Sequence, residues 1–476
     1  MIELRKSGLW DRAIRNLRYA WKRMGSTDAY FSEQSFAPEL SESDRERLIS
    51  QMQACLEARG GEVSARSRAA ALGHAYHTLN EKGRKRFLRV LAEEFGPDRD
   101  RIDLAVADVS KALDPASRAS VEAELRQALE APRLKLLTQF NALPEGVKFL
   151  VDLRAELIPW ARQDDALAGV EGDLKALLTA WFDVGFLELR QITWDAPASL
   201  LEKLFAYEAV HEIKGWDDLK NRLAVDRRCF AFFHPRMPEE PLIFVWVALF
   251  EGMAGNIQDL LDEDAPIQNV ESADTAIFYS ISNAQIGLSG INFGNFLIKR
   301  VVDSLRTELR GIRTFATLSP IPGFMPWLRR RLRERDFNFL TREQEENLVS
   351  LSSKSVNQTG NEALEHFLFR TEWHDREDIQ SALHPILLKL AAHYLVNEKR
   401  SSGTAVDSVA HFHLNNGSRI EHLHWNADTS ARGLEQSAGI MLNYRYLLDD
   451  IDANHESYRS GGEIVTSSSV RALLKD

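Results

Sequence analysis

Ser319 ends a short apolar run at residues 314–318 and stands directly before a proline turn, Pro320-Ile-Pro-Gly323. A serine fixed at a strand end does acyl- or proton-transfer chemistry when a general acid or base lies beside it. Four histidines follow close together, His411, His413, His422 and His424. One of them beside Ser319 would complete such a pair. The surroundings of Ser319 are not the Gly-x-Ser-x-Gly elbow of hydrolases, and a plain turn serine ahead of a proline is the competing reading. The histidines flank Asn415-Asn416-Gly417, a strong hairpin signal, which predicts two strands with a His-x-His pair on one face of each. Two such pairs suit a metal, as in cupin-like barrels. A carboxylate third ligand is lacking, because Glu421 falls on the opposite face, and the chain is not a series of short strands. The expectation is therefore no metal.

A second feature with chemistry in it is the glycine-rich loop Gly287-Leu-Ser289-Gly290-Ile291-Asn292-Phe293-Gly294-Asn295. An apolar run at 276–281 predicts a buried strand before it. Leu297, Val301, Leu305 and Leu309, four residues apart, predict a helix after it. The first N–H groups of a helix lack internal partners and sit at the positive end of its dipole. Glycines let a bound anion approach that end, and Lys299 and Arg300 would add charge. The spacing is neither the P-loop nor a dinucleotide fingerprint. It fits a phosphate site and equally a loop whose glycines only permit tight turning and close helix packing.

The elements that position these residues divide near residue 183. From about 40 to 181 the chain is helical in character, with Gly or Pro at the joints and starts such as Ser41-Glu-Ser-Asp and Asp114-Pro115. It carries no Cys/His cluster, so a structural or oligomeric bundle is expected. From Gly185 onward strands and helices alternate. Residues 186–194, 229–234 and 242–250 read as strands, the last as a central one, and 438–447 as a helix. The fold class is thus α+β in two domains, 1–183 and 184–476. A chain of 476 residues has ample core for both.

Net charge −11 argues against general nucleic-acid binding, so a polyanionic ligand must meet local positive charge. The two cysteines, Cys55 and Cys229, are far apart and suit a reducing compartment. No apolar run is long enough to span a membrane. The start, residues 1–24, is basic and amphipathic. Glu3 and Asp11 argue against an organelle transit segment, which leaves a cytoplasmic protein as the expectation. The run Arg329-Arg-Arg-Leu-Arg-Glu-Arg335 reads as a solvated helix face.

Taken jointly and in order, Gly287-Leu-Ser-Gly290, Phe296-Leu-Ile-Lys-Arg-Val-Val302, Leu318-Ser-Pro-Ile-Pro-Gly-Phe324, Phe412-His-Leu-Asn-Asn-Gly417, Arg432-Gly433 and Asn443-Tyr-Arg-Tyr446 resemble malonyl-CoA decarboxylase. The resemblance implies a helical oligomerisation domain, a catalytic domain similar to the GCN5-related N-acetyltransferase fold, and a homotetramer built as a dimer of dimers. It implies malonyl-CoA as substrate, acetyl-CoA as product and no cofactor. It puts Ser319 and His413 at the reacting centre, His413 as proton donor, with Tyr446 near them and the loop Ser289–Asn295 on the CoA phosphates. Some members carry a glutamate where this chain has Asn292. A CoA-dependent acyltransferase on the same fold is the alternative, and a non-enzymatic helical scaffold a third reading.

Overall fold

The computed structural model describes residues 36–57, 62–291, 297–334, 338–352, 359–370 and 373–475. The basic start of the chain lies outside them, as do four residues of the glycine loop, Asn292, Phe293, Gly294 and Asn295.

The first part is helical: α1 Glu42–Leu56, α2 Glu62–Thr78, α3 Glu81–Glu93, α4 Arg99–Lys111, α5 Pro115–Leu129, α6 Pro132–Asn141, α7 Gly146–Ala161 and α8 Asp165–Trp181. The helix starts follow the local chemistry. Ser41 and Asp44 form a capping box on α1, and Asp114 caps α5 with Pro115 in its first turn. In α8, Leu167, Val170, Leu174 and Leu178 repeat at three- and four-residue spacing and are all fully buried. They face α7, whose Phe149, Leu150, Val151, Leu153 and Leu157 are buried too. Burying each such side chain stabilises by about 2 kcal/mol. The pair α7–α8 is therefore a firm wall, and its core continues into the second half through Leu288, Leu297 and Ile298.

The second half is built on one mixed sheet of β1 Glu188–Ile192, β2 Arg227–His234, β3 Met237–Phe250, β4 Thr275–Asn283, β5 Thr314–Thr317, β6 Ser319–Pro320, β7 Arg419–His424 and β8 Met441–Tyr446. Strands β1 to β4 run antiparallel in sequence order, β5 joins β4 in parallel, and β8 lies antiparallel to β5, β6 and β7. Helices α9 Ala198–Tyr207, α10 Trp216–Arg222 and α11 Ile257–Leu261 bring their buried leucines and isoleucines to one face, against Ala231, Phe244 and Trp246. The other face packs on α12 Leu297–Glu308 and the helical part. A last group surrounds β7 and β8: α13 Phe324–Arg333, α14 Arg342–Leu351, α15 Gly360–Arg370, α16 Glu377–Val396, α17 Ser408–Asn415, α18 Ala431–Ser437, α19 Ile451–Gly461 and α20 Ser468–Leu473. The architecture is α+β, helical first and mixed second.

Two local expectations are overturned. Residues 408–415 form the helix α17 and not the first strand of a hairpin. Asp407 accepts hydrogen bonds from the N–H groups of Val409 and Ala410, which starts a helix, and Asn416-Gly417 ends it, with Gly417 at φ +80°. The Asn-Gly pair is a helix stop here, where a hairpin needs the same left-handed residue for its turn. Residues 441–446 form the strand β8 and not a helix. Ala438 (φ 52°) and Gly439 (φ 76°) stop α18 in left-handed geometry, and Met-Leu-Asn-Tyr-Arg-Tyr then pairs on both edges. A smaller difference concerns β1, which begins at Glu188 after a short 3-10 turn at Val184–Phe186.

Candidate active site

The parallel pairing of β4 with β5 ends at Phe278 opposite Thr317. One further bond, Leu318 N–H to the Phe278 carbonyl at 3.0 Å, follows it. β4 then continues to Asn283, while Ser319 and Pro320 turn to pair with Leu442 and Met441 of β8. The two parallel strands therefore part at their C-terminal ends, where α/β sheets bind ligands. Ser319 is the first residue past that fork.

Around Ser319 the structure joins three of the residues singled out in the sequence. Ser319 Oγ lies 3.2 Å from His413 Nε2, and His413 Nδ1 lies 2.8 Å from the Tyr446 hydroxyl. The Ser319 hydroxyl also donates to Thr317 Oγ1 at 2.8 Å. The His413 ring stacks on Tyr444, with centroids 4.6 Å apart. Ser319, His413 and Tyr446 are all buried. Burial draws the pKa of His413 down to about 3 and holds that of the Tyr446 phenol well above its ordinary value. The imidazole is thus neutral, and the phenol keeps its proton.

The elements explain this convergence. Residues 315, 317 and 319 alternate along β5–β6, and 442, 444 and 446 along β8, so both sets face the helix above them. That helix is α17, and Asp407 holds it in place. One carboxylate oxygen caps α17, and the other accepts the Gly323 N–H at 3.1 Å, in the proline turn after Ser319. One side chain therefore joins the start of the His413 helix to the turn beyond Ser319. A Cβ on Gly417, just after α17, would overlap the Ile451 carbonyl, which fixes the helix end against α19.

The other histidines do not share a site with His413. On a helix, positions two apart point in opposed directions, so His411 faces away and meets the Tyr458 hydroxyl at 2.8 Å. His422 and His424 do share a face of β7, with ring centroids 4.6 Å apart, and His424 Nε2 bonds Asn443 Oδ1. Among the described residues, no group of three or more His, Cys, Asp or Glu side chains is arranged to hold a metal ion.

The described part of the glycine loop runs from Gly287 to Ile291 and leans on the helical part of the chain. Arg154 of α7, deeply buried, donates to the carbonyls of Gly287 (2.6 Å) and Ser289 (2.9 Å) and is paired with Glu171 at 2.7 Å. A Cβ on Gly287 would overlap the Val151 carbonyl, so that glycine serves packing. Gly290 has φ +74°, and a Cβ on it would stand 3.2 Å from Lys175 Nζ of α8. Lys299 and Arg300 are engaged elsewhere, Lys299 with Asp452 at 2.6 Å and Arg300 with the Leu187 carbonyl at 3.3 Å. Among the described residues, the cations beside the loop are thus Arg154, paired with Glu171, and Lys175.

A separate cleft of about 1840 Å³ lies between α7, α9, α11 and the end of β4. Neither Ser319 nor His413 lines it, and carboxylates such as Asp152, Glu202, Glu239, Asp262 and Glu263 outnumber its cations. Such a lining repels a polyphosphate ligand.

Thr317, Tyr444, Asp407, Arg154 and Lys175 were not legible as site residues. Thr317, two before Ser319, shares its face only if the strand runs on, and the sequence pattern predicts a helix around Tyr444 where β8 runs. Asp407-Ser408 ahead of an apolar run is a helix-start signal that would have found α17.

Comparisons with known proteins agree with one another. The profile described as malonyl-CoA decarboxylase C-terminal domain matches residues 185–476, and that of the malonyl-CoA decarboxylase N-terminal domain matches 95–182. The chain is similar to the protein named malonyl-CoA decarboxylase, mitochondrial, of Anser anser anser, with 38% identity over 86% of this chain and 84% of that one. The mouse protein of the same name is 39% identical over 82% of each chain. Among solved structures, the malonyl-CoA decarboxylase of Rhodopseudomonas palustris superposes with a TM-score of 0.81 at 40% identity, covering 90% of this chain and 99% of that one. The Agrobacterium vitis structure of the same name also reaches 0.81, at 38% identity over 90% and 100%.

Proposed function

The chain belongs to the malonyl-CoA decarboxylase family and converts malonyl-CoA to acetyl-CoA and CO2, and we propose that the Ser319–His413 pair supplies the proton that completes the reaction. Breaking the bond to the carboxylate leaves an electron pair on the methylene carbon, delocalised onto the thioester oxygen as an enolate. The thioester is the electron sink, and no organic cofactor is required for that step. CO2 departs, a C–H bond forms with a proton from the pair, and solvent replaces that proton. The observation that carries this reading is the 3.2 Å contact between Ser319 Oγ and His413 Nε2 at the parting of β4 and β5. His413 is the proton donor, Ser319 its hydrogen-bonded partner, and Tyr446 holds the far nitrogen at 2.8 Å. Buried donors of this kind also stabilise the developing enolate oxygen.

The loop of Ser289, Gly290, Ile291, Asn292, Phe293, Gly294 and Asn295 is the site we assign to the CoA phosphates. Gly290 and the Lys175 ammonium beside it support that assignment. We divide the chain into a helical domain, 1–183, and a catalytic domain, 184–476. The parallel pairing of β4 with β5, which parts at Ser319, supports a likeness of the latter to the GCN5-related N-acetyltransferase fold. Exposed Leu104 of α4, Leu113 in the joint before α5 and Leu129 at the end of α5 leave apolar side chains open to self-association, in keeping with a homotetramer. Light scattering of the full chain and of Leu113→Glu tests this, and an unchanged mass would exclude that face. The compartment we propose is the cytoplasm, because Cys55 and Cys229 are both free thiols, which suits a reducing compartment. The relatives named mitochondrial define the alternative, which the location of a tagged full chain decides.

Incubation with malonyl-CoA alone tests the reading. Stoichiometric CO2 and acetyl-CoA without an acceptor are expected. Turnover only when an acyl acceptor is added would make the chain an acyltransferase instead.

A further inference from the structure

The hydrogen bonds around Ser319 run in one direction, and we infer that Thr317 is the positioning residue that sets it, by holding His413 in the tautomer with its proton on Nε2. This rests on the reading that Ser319 and His413 carry the proton transfer.

Thr317 is completely buried. Its hydroxyl oxygen has two lone pairs. The Tyr444 backbone N–H, which can only donate, takes one of them at 3.1 Å. The Ser319 hydroxyl takes the other at 2.8 Å. Ser319 has a single proton and directs it at Thr317, so toward His413 its oxygen can only accept. The 3.2 Å contact therefore requires a proton on Nε2. A neutral imidazole carries one N–H, and Nδ1 is then bare and accepts from the Tyr446 hydroxyl at 2.8 Å. The sequence of donors is Tyr446 O–H to Nδ1, Nε2–H to Ser319, and Ser319 O–H to Thr317.

The main chain keeps Thr317 in that role. The Asn443 side-chain amide donates to the Thr317 carbonyl at 2.7 Å and to the Ala254 carbonyl at 3.1 Å. Without an acceptor at 317, the Ser319 hydroxyl would be free to turn toward Nε2. His413 would then carry its proton on Nδ1, against Tyr446 and away from the parting strands. An imidazole in the wrong tautomer keeps its place and loses its task.

The test is Thr317→Val, which keeps the shape and removes the acceptor, beside Thr317→Ser, which keeps it. In Thr317→Val, kcat should fall at least about tenfold with KM within about twofold of the parent, because the proton step and not substrate binding is affected. Thr317→Ser should recover kcat to within about threefold. The 15N resonances of His413, assigned by their loss in His413→Gln, should show a protonated Nε2 in the parent and a protonated Nδ1 in Thr317→Val. Parental kcat in Thr317→Val, or a protonated Nδ1 in the parent, would overturn the inference. If Thr317→Val does not fold, the parental tautomer and the Thr317→Ser rate decide it. Full activity in Ser319→Ala would instead sink the underlying reading of the pair, whatever the tautomer.

Discussion

Arg154 of α7 reaches the carbonyl oxygen of Gly287, 2.6 Å away, and so ties the glycine loop to the helical first part of the chain. The same guanidinium holds the Ser289 carbonyl and the Glu171 carboxylate. The helical part of the chain thus helps to shape the glycine loop.

Arg154→Ala removes the buried partner of Glu171 and leaves two loop carbonyls unpaired. Glu171 is partly exposed, so the loss is that of hydrogen bonds to a charged group, about 2 kcal/mol. Chemical denaturation should register a loss of that order, and KM for malonyl-CoA should rise in the surviving folded protein. An unchanged KM would show that the loop keeps its shape without α7.

Lys175 tests the phosphate assignment more cleanly than Gly290 does. A side chain at Gly290 meets both a left-handed backbone and the Lys175 ammonium, so stability and binding would change together. Lys175→Ala should weaken malonyl-CoA and free CoA alike, by about tenfold each for one lost charge-assisted contact, with little change in Tm. The two ligands share their phosphates and differ at the acyl end. Weakening of malonyl-CoA alone would place Lys175 near the acyl group and not on the phosphates.

His413 makes a prediction about pH. Its pKa falls from 6.5 to about 3 through burial, so the folded protein stays unprotonated there while the unfolded chain takes up a proton below 6.5. The sign follows: between those values stability declines as pH falls, by up to about 1.4 kcal/mol per pH unit from this group. Its imidazole resonance should not titrate between pH 8 and 5. A midpoint near 6.5 would mean that the ring is solvated, and an imidazolium acid would replace the neutral donor.

Much of this was legible in the sequence, and the failures have physical causes. The strand before the glycine loop and the helix and strand after it follow from apolar runs with sharp polar bounds, and α12 buries Leu297, Val301 and Leu305 as its spacing requires. The stretch carrying His413 was misread because Asn416-Gly417 adopts the left-handed turn that hairpins and helix ends share. The misreading of β8 is of another kind. Its interior is buried on both faces, so Met-Leu-Asn-Tyr-Arg-Tyr lacks the clean alternation that marks a half-exposed strand. Ser319 and His413 are 94 residues apart in the chain, and only the fork between β4 and β6, with Asp407 bridging to Gly323, brings them together.

The central claim is that Ser319 and His413 act as one unit in the proton step, and the kcat of Ser319→Ala, His413→Ala and the double variant on malonyl-CoA tests it most directly. Each single change should lower kcat at least about a hundredfold, and the double variant should be little worse than either. Near-parental turnover in His413→Ala, or losses that multiply in the double variant, would contradict it.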